Sequence, residues 1–280
     1  MENKPKIFLI SNTANFFSSF ALKHIEELSK EYNLFVCCKN SFHLKELIPN
    51  NVTLININFK RGISLFHDIA TFITTLFFFF KERPNFSVSF TPKIGFIVLI
   101  ASFITRTPNR LHWFTGQIWA SKKGIAKLIL KSVDKFIYFL SHKVLIDSIS
   151  QRNFLIKHKV VSAKKSIVLN KGSVGGVNIK KFKFNNKIRN KLRKKLSINK
   201  STFIFLYLGR INQDKGINLL LKAFKKISKD NDILLIFVGS IEDQVFRSKF
   251  KNQKKILYFN YSKNPEDWFS VADILCLPSY

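Results

Sequence analysis

The feature that most constrains this fold is a regular alternation of short β-type runs with longer segments of helical periodicity. In the N-terminal part, β-branched and aromatic runs predict strands at Lys6–Ser11, Tyr32–Cys38, Val52–Ile57, Phe86–Phe90, Arg110–Phe114, His142–Ser148 and Ser166–Leu169. Apolar residues with helical spacing lie between them, at 64–81, 93–105, 124–140 and 149–158. Strands that alternate with helices pair in parallel and are covered on both faces. The pattern therefore predicts an α/β domain built on a doubly wound parallel sheet.

A glycine-rich stretch at 170–177 interrupts this alternation, because it cannot continue a sheet. A strongly basic helix follows at about 185–196, and a second series then begins with Phe203–Gly209, a helix and Ile233–Gly239. We therefore predict two Rossmann-like domains, of which the second is incomplete because the sequence stops early in its sheet. The predicted parts are an N-terminal domain, a linker with the basic helix, and a partial C-terminal domain, at 1–170, 171–200 and 201–280.

The charge of the chain is strongly positive, with 47 Lys and Arg against 17 Asp and Glu and a net charge of +30. No acidic residue occurs between Glu82 and Asp134. Such a surface attracts phosphates, acidic lipid headgroups or nucleic acid. A Lys- and Asn-rich composition inherited from an AT-rich genome is an equally good explanation of the lysine count. Since no zinc, RNP or basic-zipper motif is present, nucleic acid is the less favoured partner.

The three cysteines form neither a zinc pattern nor a disulfide framework, which suits a reducing cytoplasm and predicts no metal site. Two apolar segments, 63–80 and 94–104, are interpreted as buried or interfacial helices rather than membrane spans, because one contains His67 and Asp68 and the other is too short. Within the first, the cluster Leu76–Phe80 either packs in the core or rests against a membrane.

The clearest candidate site is the loop Gly209–Gly216, which follows a predicted strand and precedes a helix. Ligands of open α/β sheets bind at such strand-to-helix junctions. Arg210 offers a fixed fork for phosphate oxygens and Lys215 a point charge, while the two flanking glycines allow close backbone approach. We interpret the loop as a phosphate site; a solvated basic turn is the alternative.

A second candidate is the segment Leu111–Ala120, at the end of a first-domain strand. Its aromatic residues alternate with polar ones, a composition that suits stacking on and hydrogen bonding to a sugar. His112 could transfer protons, although it lacks an assignable carboxylate partner, and taken alone it is better explained as a structural histidine. The acceptor side is predicted to include Gly116, Gln117 and Trp119.

A third candidate is the turn after the first strand, Ser11–Asn15, whose backbone amides open a helix. These amides, with Asn15, could face a phosphate. An ordinary helix N-cap explains the same residues equally well.

Two longer motifs carry a family resemblance. Phe205–Phe224, read as FLYLGRINQDKGINLLLKAF, and Trp268–Tyr280, read as WFSVADILCLPSY, resemble the signature of glycosyltransferase family 4. Thr91–Gly95, Arg110–Trp119 and Leu145–Leu155 resemble the branch of that family that builds capsule and O-antigen repeat units. The resemblance covers nearly the whole chain.

The resemblance implies a two-domain (GT-B) enzyme that transfers a sugar from a nucleotide donor, usually a UDP-sugar, with retention of configuration and without a metal or other cofactor. The acceptor would be a lipid-linked saccharide at the inner face of the bacterial membrane, so a cytoplasmic, peripheral membrane location is expected. Arg210 and Lys215 match the pair that binds the donor diphosphate. Many relatives have a histidine where this chain has Thr115, so Thr115 joins His112 as a catalytic candidate.

The sequence stops before the acidic loop that holds the donor sugar in the family it resembles. The alternative interpretation is therefore an inactive, truncated remnant that acts only as a basic module binding a membrane surface or nucleic acid.

Overall fold

The computed structural model describes residues 4–60, 62, 64–229, 231–250 and 253–279. They form two compact units, Met1–Gly176 and Val177–Tyr280. Each unit is built on a parallel β-sheet with helices connecting the strands. The predicted fold class, two Rossmann-like α/β domains, is confirmed for both units.

The first unit contains a seven-stranded sheet in the order β3-β2-β1-β4-β5-β6-β7. Its strands are β1 (Lys6–Thr13), β2 (Asn33–Lys39), β3 (Thr53–Asn56), β4 (Phe86–Phe90), β5 (Asn109–Phe114), β6 (Lys143–Ile146) and β7 (Ser166–Ile167). Its α-helices are α1 (Ala14–Phe16), α2 (Leu22–Glu31), α3 (Leu65–Glu82), α4 (Pro92–Ile104), α5 (Gly124–Leu140) and α6 (Ile149–Lys157). The strand order reverses direction between β1 and β4, and ligands of such sheets bind at this switch point.

Side-chain alternation along the strands builds two layers of core, one on each face of this sheet. In β1, Ile7 and Leu9 join a buried cluster with α2, whereas Phe8 and Ile10 join a second cluster with α3 and α4. A third cluster continues the second layer under α5 and α6. Because both faces of the sheet are covered, consecutive residues of the central strands β1 and β2 are buried, as is usual for parallel sheets.

The helix predicted after β1 is interrupted by a π-helical turn, Phe17–Ala21, between α1 and α2. Phe20 lies within this turn and is 53% exposed, whereas Phe17 at its start is buried. Among the described residues, no helix is long and apolar enough to cross a membrane.

The second unit contains a four-stranded sheet in the order β10-β9-β8-β11. Its strands are β8 (Phe203–Leu208), β9 (Ile233–Val238), β10 (Ile256–Phe259) and β11 (Ile274–Leu275), and its α-helices are α7 (Asn186–Lys195), α8 (Ile217–Ile227), α9 (Val245–Phe250) and α10 (Pro265–Val271). The order reverses between β8 and β11, so the switch point of this unit lies at the end of β8.

The basic helix α7, predicted as part of a separate linker, is an integral element of the second unit. Arg189 and Arg193 donate to the two carboxylate oxygens of Asp273 at 2.6 and 3.0 Å. Arg193 also donates to the backbone oxygen of Thr202 at 3.0 Å and is itself buried. The division between the units falls at Gly176, inside the predicted linker.

Candidate functional site

The loop after β8 lies at the switch point of the second unit, and its backbone is fixed by two glycines with positive φ. Gly209 has φ +156° and Gly239, which ends β9, has φ +146°. A Cβ atom on Gly239 would lie 1.9 Å from the backbone oxygen of Gly209. The two strand ends are therefore packed too closely for any side chain at position 239.

Arg210 follows directly and is well exposed, with 47% of its side chain accessible. Its Nη1 donates to Oε1 and Oε2 of Glu242 at 3.0 and 3.2 Å. Asn212 Nδ2 donates to Oε2 of the same carboxylate at 2.7 Å. The guanidinium thus already engages an anionic oxygen pair, which is the kind of partner that a phosphate would provide.

Tyr207 of β8 holds the backbone of Arg210 in place, because its hydroxyl donates to the Arg210 carbonyl oxygen at 2.7 Å. The pKa of Tyr207 is raised to about 12, mainly by burial; Arg210 opposes this shift, and Glu242 makes a smaller contribution in the same direction as burial. The phenol therefore remains a hydrogen-bond donor at physiological pH, and it fixes the loop without carrying charge.

Lys215 ends a short 3₁₀ turn, Gln213–Lys215, and α8 begins two residues later. The side chain of Asn212 caps this turn by accepting from the Lys215 amide at 3.2 Å. Gly216 has φ +68°, and a Cβ atom there would lie 1.9 Å from the backbone oxygen of Pro278. The structure therefore brings Gly209, Arg210, Lys215 and Gly216 together on one loop at the carboxyl edge of the sheet.

At the switch point of the first unit, Asn15 lies exposed in α1, directly after β1. Its backbone oxygen accepts from Ser18 Oγ at 3.2 Å. Thr13, the N-cap residue, makes no side-chain capping bond to this helix. Across the switch point, Thr91 follows β4 with φ +70° and ψ +143°, an unusual conformation for a β-branched residue. Backbone strain of this kind clusters at functional sites, and the sequence reasoning did not identify Thr91 on this ground.

The segment after β5 divides into accessible and buried positions. Thr115 is half-buried and Gly116 is exposed, and a Cβ atom added to Gly116 would have no neighbouring atom within 4 Å. Gln117 Oε1 accepts from Gln151 Nε2 at 3.0 Å, and Gln117 Nε2 is buried with no hydrogen-bond partner among the described residues. These three residues lie together at the carboxyl edge of the first sheet.

The structure does not support a proton-transfer role for His112. Its side chain is fully buried, and Nδ1 lies 2.8 Å from Ser89 Oγ. Gly95 of α4 packs so tightly on the ring that a Cβ atom would lie 2.5 Å from Cε1. Burial lowers the pKa of His112 to about 3, so the ring is neutral. The catalytic prediction is corrected: His112 is a core residue against which α4 packs closely on β5.

The prediction that Trp119 stacks on an acceptor sugar is corrected for the same reason. The indole is buried, and its Nε1 donates to Asp134 Oδ2 of α5 at 2.7 Å. One face of the indole stacks on Phe154 with ring centroids 5.3 Å apart. Because the polar atom and this ring face are both occupied, Trp119 holds α5 and α6 against the sheet.

A polar group that sequence reasoning did not assign lies at the end of β6. Asp147 Oδ1 accepts from Trp113 Nε1 at 2.8 Å, and its backbone oxygen accepts from the Ser173 amide at 2.6 Å. Burial raises the pKa of Asp147, while hydrogen bonds from Trp113 and the Val174 amide oppose the shift. The available signal was its place directly after a buried strand, where carboxyl-edge residues gather.

No group of three or more His, Cys, Asp or Glu residues within the described ranges is arranged to hold a metal ion. The charged part of the candidate site is therefore the loop with Arg210 and Lys215, with Glu242 as its internal counter-ion.

The fold of the chain is similar to that of known proteins. Two Rossmann-like units, each with a loop at its switch point, define an α/β protein of the GT-B class. Anabaena HepE in complex with UDP-glucose has a TM-score of 0.72 at 14% identity, with 98% of this chain and 74% of that chain covered. WaaG, a glycosyltransferase involved in lipopolysaccharide biosynthesis, has a TM-score of 0.71 at 14% identity, with 98% of this chain and 75% of that chain covered. These similarities establish the fold.

Sequence comparison gives the family that residues 188–280 match. Residues 188–280 match the family described as "Glycosyl transferases group 1". CapM of Staphylococcus aureus, a capsular polysaccharide biosynthesis glycosyltransferase, is 31% identical over 234 residues, which are 80% of this chain. An Escherichia coli UDP-Gal:alpha-D-GlcNAc-diphosphoundecaprenol alpha-1,3-galactosyltransferase is 22% identical over 270 residues, covering 92% of this chain and 69% of that protein. The chain carries the domain of the group 1 glycosyltransferases over residues 188–280, and it is similar to enzymes of capsule and lipopolysaccharide synthesis. It spans 60% of the length of CapM.

Proposed function

We propose that this chain binds a nucleotide-sugar, most simply a UDP-sugar, and transfers the sugar to a lipid-linked saccharide in the synthesis of a surface polysaccharide. The observation that carries the proposal is the loop with Arg210 and Lys215 at the switch point of the second unit. The family, the UDP-glucose bound to HepE and the lipid-linked acceptor in the name of the Escherichia coli relative support it.

In the proposed reaction, the bond between the anomeric carbon of the sugar and the β-phosphate oxygen breaks, the acceptor hydroxyl oxygen bonds to that carbon in its place, and the hydroxyl proton passes to the departing diphosphate. Negative charge develops on the departing diphosphate. Arg210 and Lys215 offset that charge, and Gly209 and Gly216 let backbone amides approach the phosphates. These two cationic side chains supply the electrostatic stabilisation. Retention of anomeric configuration follows from the family resemblance and belongs to the proposal.

The first unit supplies the acceptor side and a further donor contact. Thr115, Gly116 and Gln117 are the polar or accessible residues directly after β5, and we assign the acceptor saccharide to this edge. The buried, unpartnered Gln117 Nε2 is the group that a sugar hydroxyl could satisfy there, within the part of the chain that the structure describes. Asn15 keeps its proposed place beside the donor. Because the proposed acceptor carries a lipid, we propose that the reaction takes place at a membrane surface, and the family resemblance implies the cytoplasmic face of the bacterial membrane.

The diphosphate assignment is tested with Arg210→Ala and Lys215→Ala, and Lys226→Ala is the matched control. Lys226 is an exposed lysine in the last turn of α8, at the opposite end of the helix that Lys215 precedes. Isothermal titration with UDP measures binding, and transfer from radiolabelled UDP-sugars to bacterial lipid-linked saccharides measures turnover. Each site variant should lower turnover by about 10²-fold, the effect typical of removing one preorganised partner of developing charge. The control should stay within about twofold of the wild type, as expected for a surface substitution away from the site.

Wild-type UDP affinity and turnover in both site variants would refute the diphosphate assignment. The stereochemistry is read separately, from the anomeric proton coupling of the product by NMR. A product with inverted configuration would refute the retaining mechanism while leaving the donor site intact.

A further inference from the structure

The amino edge of the first sheet carries a cavity of about 600 Å³, between the end of α4, the start of β5 and the residue before β6. The carboxyl edge, with Thr115, is at the other end of β5, roughly 16 Å away. Three residues that line the cavity are basic and three are apolar. The basic ones are Arg106, Arg110 and His142, and the apolar ones are Phe103, Ile104 and Pro108. All lining residues lie within the described ranges and none is acidic. We call this cavity the amino-edge site.

The guanidinium group of Arg110 is held in a fixed position in this cavity. Its Nε donates to the backbone oxygen of Leu140 at 2.8 Å, and its Nη1 donates to that of Thr107 at 2.9 Å. The central carbon of the group lies 5.5 Å from the ring centroid of Phe103. Two of the three nitrogens therefore cap the end of α5 and the turn before β5. The third, Nη2, lies 3.2 Å from Nε2 of His142.

Both ring nitrogens of His142 face N–H groups of Arg110. Nδ1 accepts from the Arg110 backbone amide at 3.1 Å, and Nε2 faces the guanidinium Nη2. Burial and the charges of Arg110 and Lys165 lower the pKa of His142, so the ring is neutral at physiological pH. A neutral imidazole accepts at one nitrogen only. Because an unpaired backbone amide is costly, Nδ1 is that acceptor and Nε2 carries the proton. The two groups Nε2–H and Nη2–H thus meet as two donors, an arrangement that an acceptor between them would stabilise.

Arg106 adds a second guanidinium group at a position that normally favours glycine. It follows the end of α4 with φ +55°. Its amide donates to the backbone oxygen of Phe103 at 3.1 Å, and the amide of Thr107 donates to that of Ser102 at 2.8 Å. This is the Schellman pattern, in which the residue with positive φ is usually glycine because a side chain is disfavoured there. Backbone outliers of this kind are concentrated at functional sites. The exposed Arg106 side chain lines the cavity.

We propose that the amino-edge site binds a phosphate monoester, a soluble small molecule whose phosphate oxygens accept from the three basic residues and whose organic group packs on the apolar ones. Three donor groups match the three terminal oxygens and the charge of a phosphate, whereas a carboxylate offers two oxygens and one charge. Phe103 and Ile104 are 55% and 47% exposed, which favours an ester over inorganic phosphate. The volume lies within the range of small-molecule pockets. This second site does not depend on the proposed transferase reaction.

The test is NMR of the full chain labelled with ¹⁵N-histidine, titrated with phenyl phosphate and, separately, with inorganic phosphate. All samples carry Arg210→Ala and Lys215→Ala, so that the cations of the donor loop are absent. The chain has six histidines, and His142→Gln identifies the His142 signals. The measurement needs neither donor nor turnover, so its failure is distinguishable from failure of the transferase assignment.

The site variant is Arg106→Gly, and Arg83→Gly is the matched control. Arg83 is also an exposed arginine that follows a helix with positive φ, in its case α3 with φ +47°. Each substitution removes one positive charge and places glycine in a conformation that suits it, so both variants should fold. They differ in that Arg106 lines the cavity, whereas Arg83 is absent from its lining.

Phenyl phosphate should shift the His142 signals saturably and bind about tenfold more tightly than inorganic phosphate, because its ring packs on the apolar residues. Arg106→Gly should weaken phenyl phosphate binding by at least about tenfold, the effect of losing a hydrogen bond to a charged group. Arg83→Gly should stay within about twofold. The absence of a saturable His142 shift would overturn the proposal. So would unchanged affinity in Arg106→Gly, equal weakening in Arg83→Gly, or equal affinity for the two phosphates.

Discussion

Replacing Gly239 by alanine tests whether the donor loop is held by backbone packing rather than by its charged side chains. Gly239 ends β9 with φ +146°, and a Cβ atom there would lie 1.9 Å from the carbonyl oxygen of Gly209. The atom that the new Cβ would meet belongs to the backbone, so no change of rotamer can relieve the clash. The loop that begins at Gly209 would have to move by about 1.5 Å to restore ordinary contact.

The expected cost combines two effects. Forcing extra volume into a packed region costs about 1–3 kcal/mol, and a side chain in a glycine-type conformation costs a further 1–3 kcal/mol or so. Gly239→Ala should therefore destabilise the second unit by about 2–6 kcal/mol, a large part of the roughly 5–15 kcal/mol that holds a domain folded. Displacing Gly209 also displaces Arg210, so UDP binding should weaken in the fraction that remains folded.

Hydrogen exchange with peptide-resolved mass spectrometry measures the effect where it should occur, because a two-unit chain does not unfold in one two-state step. The amides of β8 and β9 should exchange faster in Gly239→Ala, and those of the first sheet should be unchanged. Gly62→Ala is the control, since a Cβ atom added at that position meets no atom within 4 Å, and its stability should change by less than about 0.5 kcal/mol. Wild-type exchange in β8 and β9 together with wild-type UDP affinity would refute the packing argument.

Two further predictions concern buried and paired carboxylates. Glu242→Gln removes the counter-ion of Arg210 but keeps an amide oxygen for Asn212. Because the ion pair is exposed and worth at most about 1 kcal/mol, UDP should bind up to about fivefold more tightly in titration calorimetry. Weaker binding would show that Glu242 orients Arg210 for the donor. Burial raises the pKa of Asp134 to about 6, against a smaller opposing effect of the Trp119 hydrogen bond, so the native state holds this proton more tightly than the unfolded state and loses stability as pH rises from about 4 to about 6. Asp134→Asn keeps an acceptor for Trp119 but cannot ionise. In hydrogen exchange of the α5 amides, its stability should therefore rise relative to that of the wild type over that pH range by up to about 3 kcal/mol, and parallel pH profiles would contradict the assignment.

The sheets were predictable because their signal is local. The apolar runs around Phe8 and around Phe237 identify buried strands from neighbouring residues alone. The structure places both strands in the interior of their sheets. The loop from Gly209 to Gly216 was predictable for a related reason: its position between a strand and a helix fixes where its side chains emerge. Chemistry that depends on a strand-to-helix junction is therefore visible in sequence.

The errors arose where burial depends on a distant partner. Histidine is a common catalytic residue, but the ring of His112 is packed tightly against Gly95 of helix α4. Tryptophan often stacks on sugars, but the only polar atom of Trp119 donates a hydrogen bond to buried Asp134. The pairing of Arg210 with Glu242 likewise joins loops from two different strands. In each case the residue type is consistent with both roles, and only the tertiary neighbour decides between them.

The junction between the units shows the same dependence on contacts rather than composition. Gly172 and Gly176 are alike in sequence, yet a Cβ atom on Gly172 would lie 2.1 Å from the backbone oxygen of Asp147, whereas nothing lies within 4 Å of the same position on Gly176. His24 then binds the carbonyl oxygen of Val174 at 2.7 Å, which fastens the glycine-rich segment to the first sheet. The predicted linker at 171–200 therefore contains a stretch that belongs to one core and a helix that belongs to the other. A boundary between two cores lies where the contacts of the chain change from one core to the other. Here that position is Gly176, which has φ +57° and open space around it.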